Sequence, residues 1–140
     1  MSIEIRYGSW EAMAADAKPI RLEVFVQEQG VPPELEMDAM DAKCVHAVAY
    51  SAEGQPVGTG RLLPNGHIGR MAVLRSARGT GIGGALLKGL LAQAEQRGHD
   101  EVVLHAQLHA AEFYLAHGFK SEGEVFQEAG IPHIEMTYYF

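Results

Sequence analysis

The sequence of 140 residues predicts a mixed α/β domain whose elements run β-α-βββ-α-β-α-ββ in one sheet. Three observations lead there. Three short β-patterned runs are joined by turn signals at Glu53-Gly54-Gln55 and Pro64-Asn65-Gly66, the second containing the Asn-Gly pair of tight hairpins. A run of glycines then opens a segment in which Leu86, Leu87, Leu90, Leu91 and Ala94 recur at helical spacing. After it, strand and helix patterns alternate to the end of the chain. With 47% hydrophobic residues, a chain of this length builds a core without disulfides, and one domain over residues 1–140 is expected.

The elements follow in order. Ile3, Ile5 and Tyr7 alternate with Glu4 and Arg6 as a first strand. From Trp10 to Gln29 the pattern is helical; Pro19 is expected in the first turn of a helix that carries Ile20, Val24 and Phe25 on one face and stops at Gly30. Val31-Pro32-Pro33 reads as a loop leading into an acidic stretch, Glu34 to Asp41. Strands over 44–51, 56–63 and 67–74 form an antiparallel meander. Gly98 ends the leucine-rich helix, residues 101–108 make a strand, and 110–117 a short helix closed by Gly118. Strands over 120–126 and 135–140 close the chain, and the apolar ending Tyr138-Tyr139-Phe140 either completes the sheet or contributes to a homodimer contact.

The charge balance excludes some function classes. Eleven basic against 18 acidic residues give −7, without the basic footprint of a nucleic-acid binder. The distribution is uneven. Between Gly54 and Ala94 stand Arg61, Arg70, Arg75, Arg78 and Lys88 with no acidic residue, a segment of +5 inside a remainder of −12. A discrete anion site is expected there. Cys44 alone permits no internal disulfide, which fits a reducing cytoplasm, and no apolar run predicts a signal peptide or membrane span. No metal site is expected: His105 and His109 share a face only on a helix, and this stretch reads as strand then loop. Cys44 and His46 share a strand face without the marks of a nucleophile pair, and Cys44 reads as a small buried residue.

The most informative run is Arg78-Gly79-Thr80-Gly81-Ile82-Gly83-Gly84, between a strand and the amphipathic helix. Glycines let backbone N–H groups converge on a ligand, and a helix N-terminus favours phosphate. The alternative is a tightly packed helix start. Gly79, Gly81 and Gly84 satisfy G-x-G-x-x-G, but the glycines follow the strand only after five residues, and an antiparallel meander precedes them. Asp100 and Glu101 come before the next strand, where neither reaches a ribose, and no Gly-Lys-Ser/Thr closes the run as a P-loop. A nucleotide-binding oxidoreductase is therefore the weaker reading.

Arg78-x-x-Gly81-x-Gly83 after Met71-Ala72-Val73 resembles motif A of the GNAT superfamily of acyl-CoA-dependent N-acetyltransferases, and Ala110-x-x-Phe113-Tyr114-x-x-x-Gly118-Phe119 resembles motif B. Val24-Phe25-Val26-Gln27-Glu28-Gln29 and Gly130-Ile131-Pro132-His133-Ile134-Glu135-Met136 are further similar to the ElaA-like and YjcF-like branch. The resemblance implies a GNAT-like fold with a splayed central strand pair and acetyl transfer from acetyl-CoA to a primary amine in a ternary complex. It implies that Arg78, Gly79, Thr80, Gly81, Ile82, Gly83 and Gly84 hold the coenzyme A pyrophosphate, and that Met71, Ala72 and Val73 line the pantetheine arm. Gln107 stands where many relatives carry Asn. Tyr114 matches the general acid; the alternative is a core tyrosine with its hydroxyl satisfied locally. For the base, His67 and Glu28 are the first candidates, with His105 and His133 behind them and ordered water as a substitute. Glu28 to Asp41 contains five acidic residues and no basic one, read either as a solvated loop or as the rim of an acceptor entrance that steers cationic amines. A binding module that senses acyl-CoA without turnover is the rival reading.

Overall fold

A computed structural model describes residues 3–140. Its elements are β1 (Glu4–Gly8), α1 (Trp10–Arg21), α2 (Pro33–Glu36), β2 (Val45–Tyr50), β3 (Pro56–Leu62), β4 (Ile68–Val73), α3 (Ile82–Gln96), β5 (Glu101–Gln107), α4 (Ala111–Ala116), β6 (Lys120–Glu128) and β7 (Ile131–Tyr139). The strands form two antiparallel sheets, β1-β2-β3-β4 and β5-β7-β6. The expected single sheet is thus divided. Among the described residues the two sheets share one backbone pairing, a parallel bridge between His67 and Val103, where the Val103 N–H donates to the Gly66 carbonyl at 3.3 Å. Beyond that point β4 and β5 diverge.

The alternation in β2 sorts the two faces of the first sheet. Ala47 and Ala49 face a cluster containing Leu86, Leu87 and Leu90 of α3, whereas Val48 and Tyr50 face Met13, Ala17 and Ile20 of α1. Glycine sets how closely α3 lies on the sheet. A Cβ at Gly58 would come within 2.9 Å of Leu86 Cδ1, and one at Gly60 within 2.9 Å of Leu90 Cδ1. The α3 cluster also takes in Val102, Leu104, Phe119 and Met136, so it spans both sheets.

Two boundaries differ from expectation. The first helix begins at Trp10, where the Ser9 side chain accepts from the Ala12 N–H, and Pro19 lies near its end instead of its start. Pro19 withholds one backbone donor there, and the chain continues as a wide π-helical turn over Leu22–Glu28, with Gln29 N–H donating to Val24 O. Strand β7 starts at Ile131, not at Glu135, because Ala129 and Gly130 (φ +52 and +75) make a tight two-residue turn that pairs Glu128 with Ile131.

Candidate functional site

The divergence of β4 and β5 opens a cavity of about 810 Å³. Backbone register shows what it offers. Leu74 N–H donates to Val57 O across β3 and β4, so the N–H and C=O of Val73 point the other way, to the edge that β5 has left. Alternation places Met71 likewise, next to a bulge at Arg70, whose φ is +52. Met71, Ala72, Val73, Arg78, Gln107, Tyr114, His67 and Glu28 all line this one cavity.

Tyr114 is buried from α4, and its hydroxyl has no hydrogen-bond partner among the described residues. Burial pushes the phenol up to about 12, so it stays protonated and able to donate near neutral pH. This differs from a tyrosine whose hydroxyl is satisfied in the core.

The glycines divide into two kinds. Gly79 and Gly81 take φ of +78 and +86, and nothing surrounds them where a Cβ would stand. The first helical bond of α3 runs from Ala85 N–H to Gly81 O, which leaves the N–H groups of Ile82, Gly83 and Gly84 unused by the helix. Gly84 also serves packing: a Cβ there would lie 3.1 Å from His117 Nε2, and one at Gly83 would lie 3.5 Å from Phe113 Cζ. Thr80 is tied locally, its hydroxyl donating to Ala77 O. Residues 79–84, expected to hold the pyrophosphate, follow Arg78 in the chain but do not line the cavity.

The π-helical turn sets two neighbouring residues on opposite banks. The Glu28 carboxylate accepts from both terminal nitrogens of Arg78 at 2.7 Å, and Arg75 stands 3.5 Å away. Arg78 Nε donates to Val73 O at 2.9 Å. Gln29 exchanges amide hydrogen bonds with Gln107. Hydrogen bonds from Arg78 hold the Glu28 carboxyl below the usual range.

The charge map needs correction. The cationic segment and the acidic stretch are partners, not separate surfaces. Arg21 bonds Glu36 at 2.7 Å and Asp41 at 2.8 Å in full burial; Arg61 bonds Asp38 at 2.7 Å and Asp41 at 2.8 Å; Arg70 reaches Asp38 at 3.2 Å. Burial raises the Asp41 carboxyl, but Arg21 and Arg61 together outweigh it and hold it down. This network fixes residues 33–43 as a wall of the cavity. Sequence counting misses it because pairing is set by the fold. Arg21, also over the Trp10 ring at 5.1 Å, carried no signal at all.

His67 ends the opening at the bridge, half-buried, and burial with His105 nearby lowers its pKa. His105, Glu128 and His133 also line the cavity. Cys44 is buried and its thiol donates to Met40 O. Among the described residues no cluster of His, Cys, Asp and Glu is arranged to hold a metal ion, and no helix is long and apolar enough to cross a membrane.

Comparison with known proteins agrees with this geometry. Residues 13–140 match the acetyltransferase (GNAT) domain family. The chain is 42% identical over 131 residues to the uncharacterized N-acetyltransferase YjcF of Bacillus subtilis, covering 90% of this chain and 92% of that protein. Among solved structures, an acyl-CoA N-acyltransferase from Pseudomonas aeruginosa superposes with a TM-score of 0.86 at 33% identity, covering 98% of this chain and 99% of that one. Escherichia coli ElaA superposes with a TM-score of 0.87 at 28% identity, covering 98% and 99%.

Proposed function

The chain belongs to the GNAT acetyltransferase family, and we propose that it transfers an acetyl group from acetyl-CoA to a primary amine by direct attack in a ternary complex. The observation that carries this reading is that, among the described residues, no strand pairs with the outer edge of β4 beyond the bridge and no group hydrogen-bonds the Tyr114 hydroxyl beside it. A pantetheine arm has amides that pair with such an edge as an added strand would. The free N–H groups at the start of α3 suit a pyrophosphate, and Arg78 and Arg75 add charge next to them. Arg78 must then leave Val73 O and Glu28 to meet the coenzyme.

Each residue has a definable task. The acceptor must lose a proton before its nitrogen attacks the thioester carbon, and the departing sulfur needs one. Tyr114, protonated at neutral pH, is suited to supply the sulfur. Main-chain N–H groups of β4 are suited to the developing oxyanion. We assign the activity to residues 1–140 as one domain in a reducing cytoplasm, consistent with a lone buried thiol.

Thermal shift with acetyl-CoA and with NAD, followed by thiol release over a panel of primary amines, tests the proposal. Stabilisation by acetyl-CoA with thiol release is expected. Stabilisation without release from any amine is the outcome for an acyl-CoA sensor. Stabilisation by NAD alone overturns both.

A further inference from the structure

His105 stands two residues beyond the bridge that closes the opening, with its ring against the cavity. Its Nδ1 lies 3.0 Å from Glu128 Oε1 and its Nε2 lies 3.6 Å from Glu135 Oε1. The fold fixes both neighbours. Glu135 is the register partner of His105 across β5 and β7, and the tight turn at 129–130 brings the end of β6 alongside. Phe126 meets the ring edge-on at 5.0 Å. With Nδ1–H donating to Glu128, Nε2 keeps its lone pair and faces a second carboxylate. The other titratable groups nearby are His67, 6.3 Å away between ring centroids, and His133, whose Nε2 is 3.8 Å from Glu128 Oε2.

Building on the acyl-transfer reading, we propose that His105 is the base that deprotonates the acceptor, with Glu128 as its positioning residue and Glu135 holding the ammonium beside Nε2. The location fits. A ligand laid along the free edge of β4 from the glycine turn runs toward the closed end of the opening, where His105 stands. The ammonium gives one proton to Nε2, forming an imidazolium between two carboxylates. The freed lone pair forms the C–N bond, and the C–S bond breaks with its electron pair on sulfur. The nitrogen's second proton balances the one that sulfur receives, and the imidazolium returns its proton to water. Among the described residues His67 has no carboxylate partner, whereas His105 has two.

The test uses full-length protein, acetyl-CoA, and ethanolamine, benzylamine, glycinamide and spermidine as acceptors. His105→Ala and His105→Gln should keep acetyl-CoA affinity while kcat/KM falls by about 10²- to 10⁴-fold. The ascending limb of the pH–rate profile should vanish, and added imidazole should restore part of the rate to the alanine variant. Glu128→Gln should lower kcat while leaving the KM for acetyl-CoA unchanged, the split expected of a positioning residue. Retention of the limb and the rate in both His105 variants would overturn the proposal while leaving acyl transfer intact. So would a limb that tracks the basicity of the amine, or a loss of acetyl-CoA affinity in both variants. If the wild type releases thiol with none of the amines, acyl transfer itself fails and His105 has no base role.

Discussion

Gln29 and Gln107, 78 residues apart, exchange side-chain amide hydrogen bonds of 2.7 and 3.3 Å across the opening between the two sheets. The pair fastens the π-helical turn to the end of β5. Gln29→Ala should cost about 1 kcal/mol. Amide hydrogen exchange should quicken over residues 26–31 and stay unchanged in β2 and β3. Uniform acceleration would mean that the pair supports the whole fold.

The proposed coenzyme site sets Glu28, which bonds Arg78 at 2.7 Å, in competition with the phosphates for that guanidinium. Glu28→Gln is therefore expected to tighten acetyl-CoA several-fold by isothermal titration, and Arg78→Ala to weaken it. The gain should shrink as salt rises, since the competing charges are exposed. Weaker binding in the Gln variant would show that Glu28 orients Arg78 instead of restraining it.

Tyr114→Phe separates chemistry from packing. Turnover is expected to fall by about 10²-fold with acetyl-CoA affinity nearly intact. Because the hydroxyl has no partner among the described residues, its removal should leave the melting temperature unchanged or slightly raised. A marked loss of stability with unchanged turnover would make Tyr114 structural.

The buried ion network predicts acid sensitivity. Hydrogen bonds from Arg61 hold Asp38 down at about 2 against an ordinary value of 3.8, so its contribution is full above that ordinary value and disappears as pH falls through about 2. Asp38→Asn should flatten that part of a stability-against-pH curve. Arg21→Ala leaves two buried carboxylates short of a partner and should cost about 3–5 kcal/mol in urea. A loss under 1 kcal/mol would mean the wall of residues 33–43 stands without it.

Ala129 occupies the left-handed region at φ +52 in the β6–β7 turn. Ala129→Asn, giving the Asn-Gly pair such turns prefer, should stabilise the protein by about 1 kcal/mol. Thermal denaturation decides it, and destabilisation would point to a contact made by the alanine methyl.

The same turn shows what the sequence could convey. Ala129-Gly130 is not among the dipeptides that announce a hairpin, so β7 was expected to start after Pro132. Asn65-Gly66 is among them, and the meander was legible. The leucine stripe of α3 was legible for a similar reason: periodicity is local. Pro19 misled because the first-turn rule competes with a Ser9 cap ten residues earlier. The cavity residues could be named through the paired motifs, since those fix backbone geometry. Ion pairs spanning residues 21–70 and the His105 environment are tertiary products, and spacing does not encode them.

The bridge at His67 and Val103 has a mechanical consequence. Across that line the hydrogen-bond ladder is interrupted, yet one apolar cluster extends from Ala47 to Met136 beneath it. Ladder bonds are directional and fail when strands shift; apolar contact is not, and tolerates small sliding. The sheets are thus joined like the blades of shears, stiff within each blade and adjustable at the gap. The width of the opening therefore rests on apolar contact and on the Gln29–Gln107 pair instead of on ladder bonds.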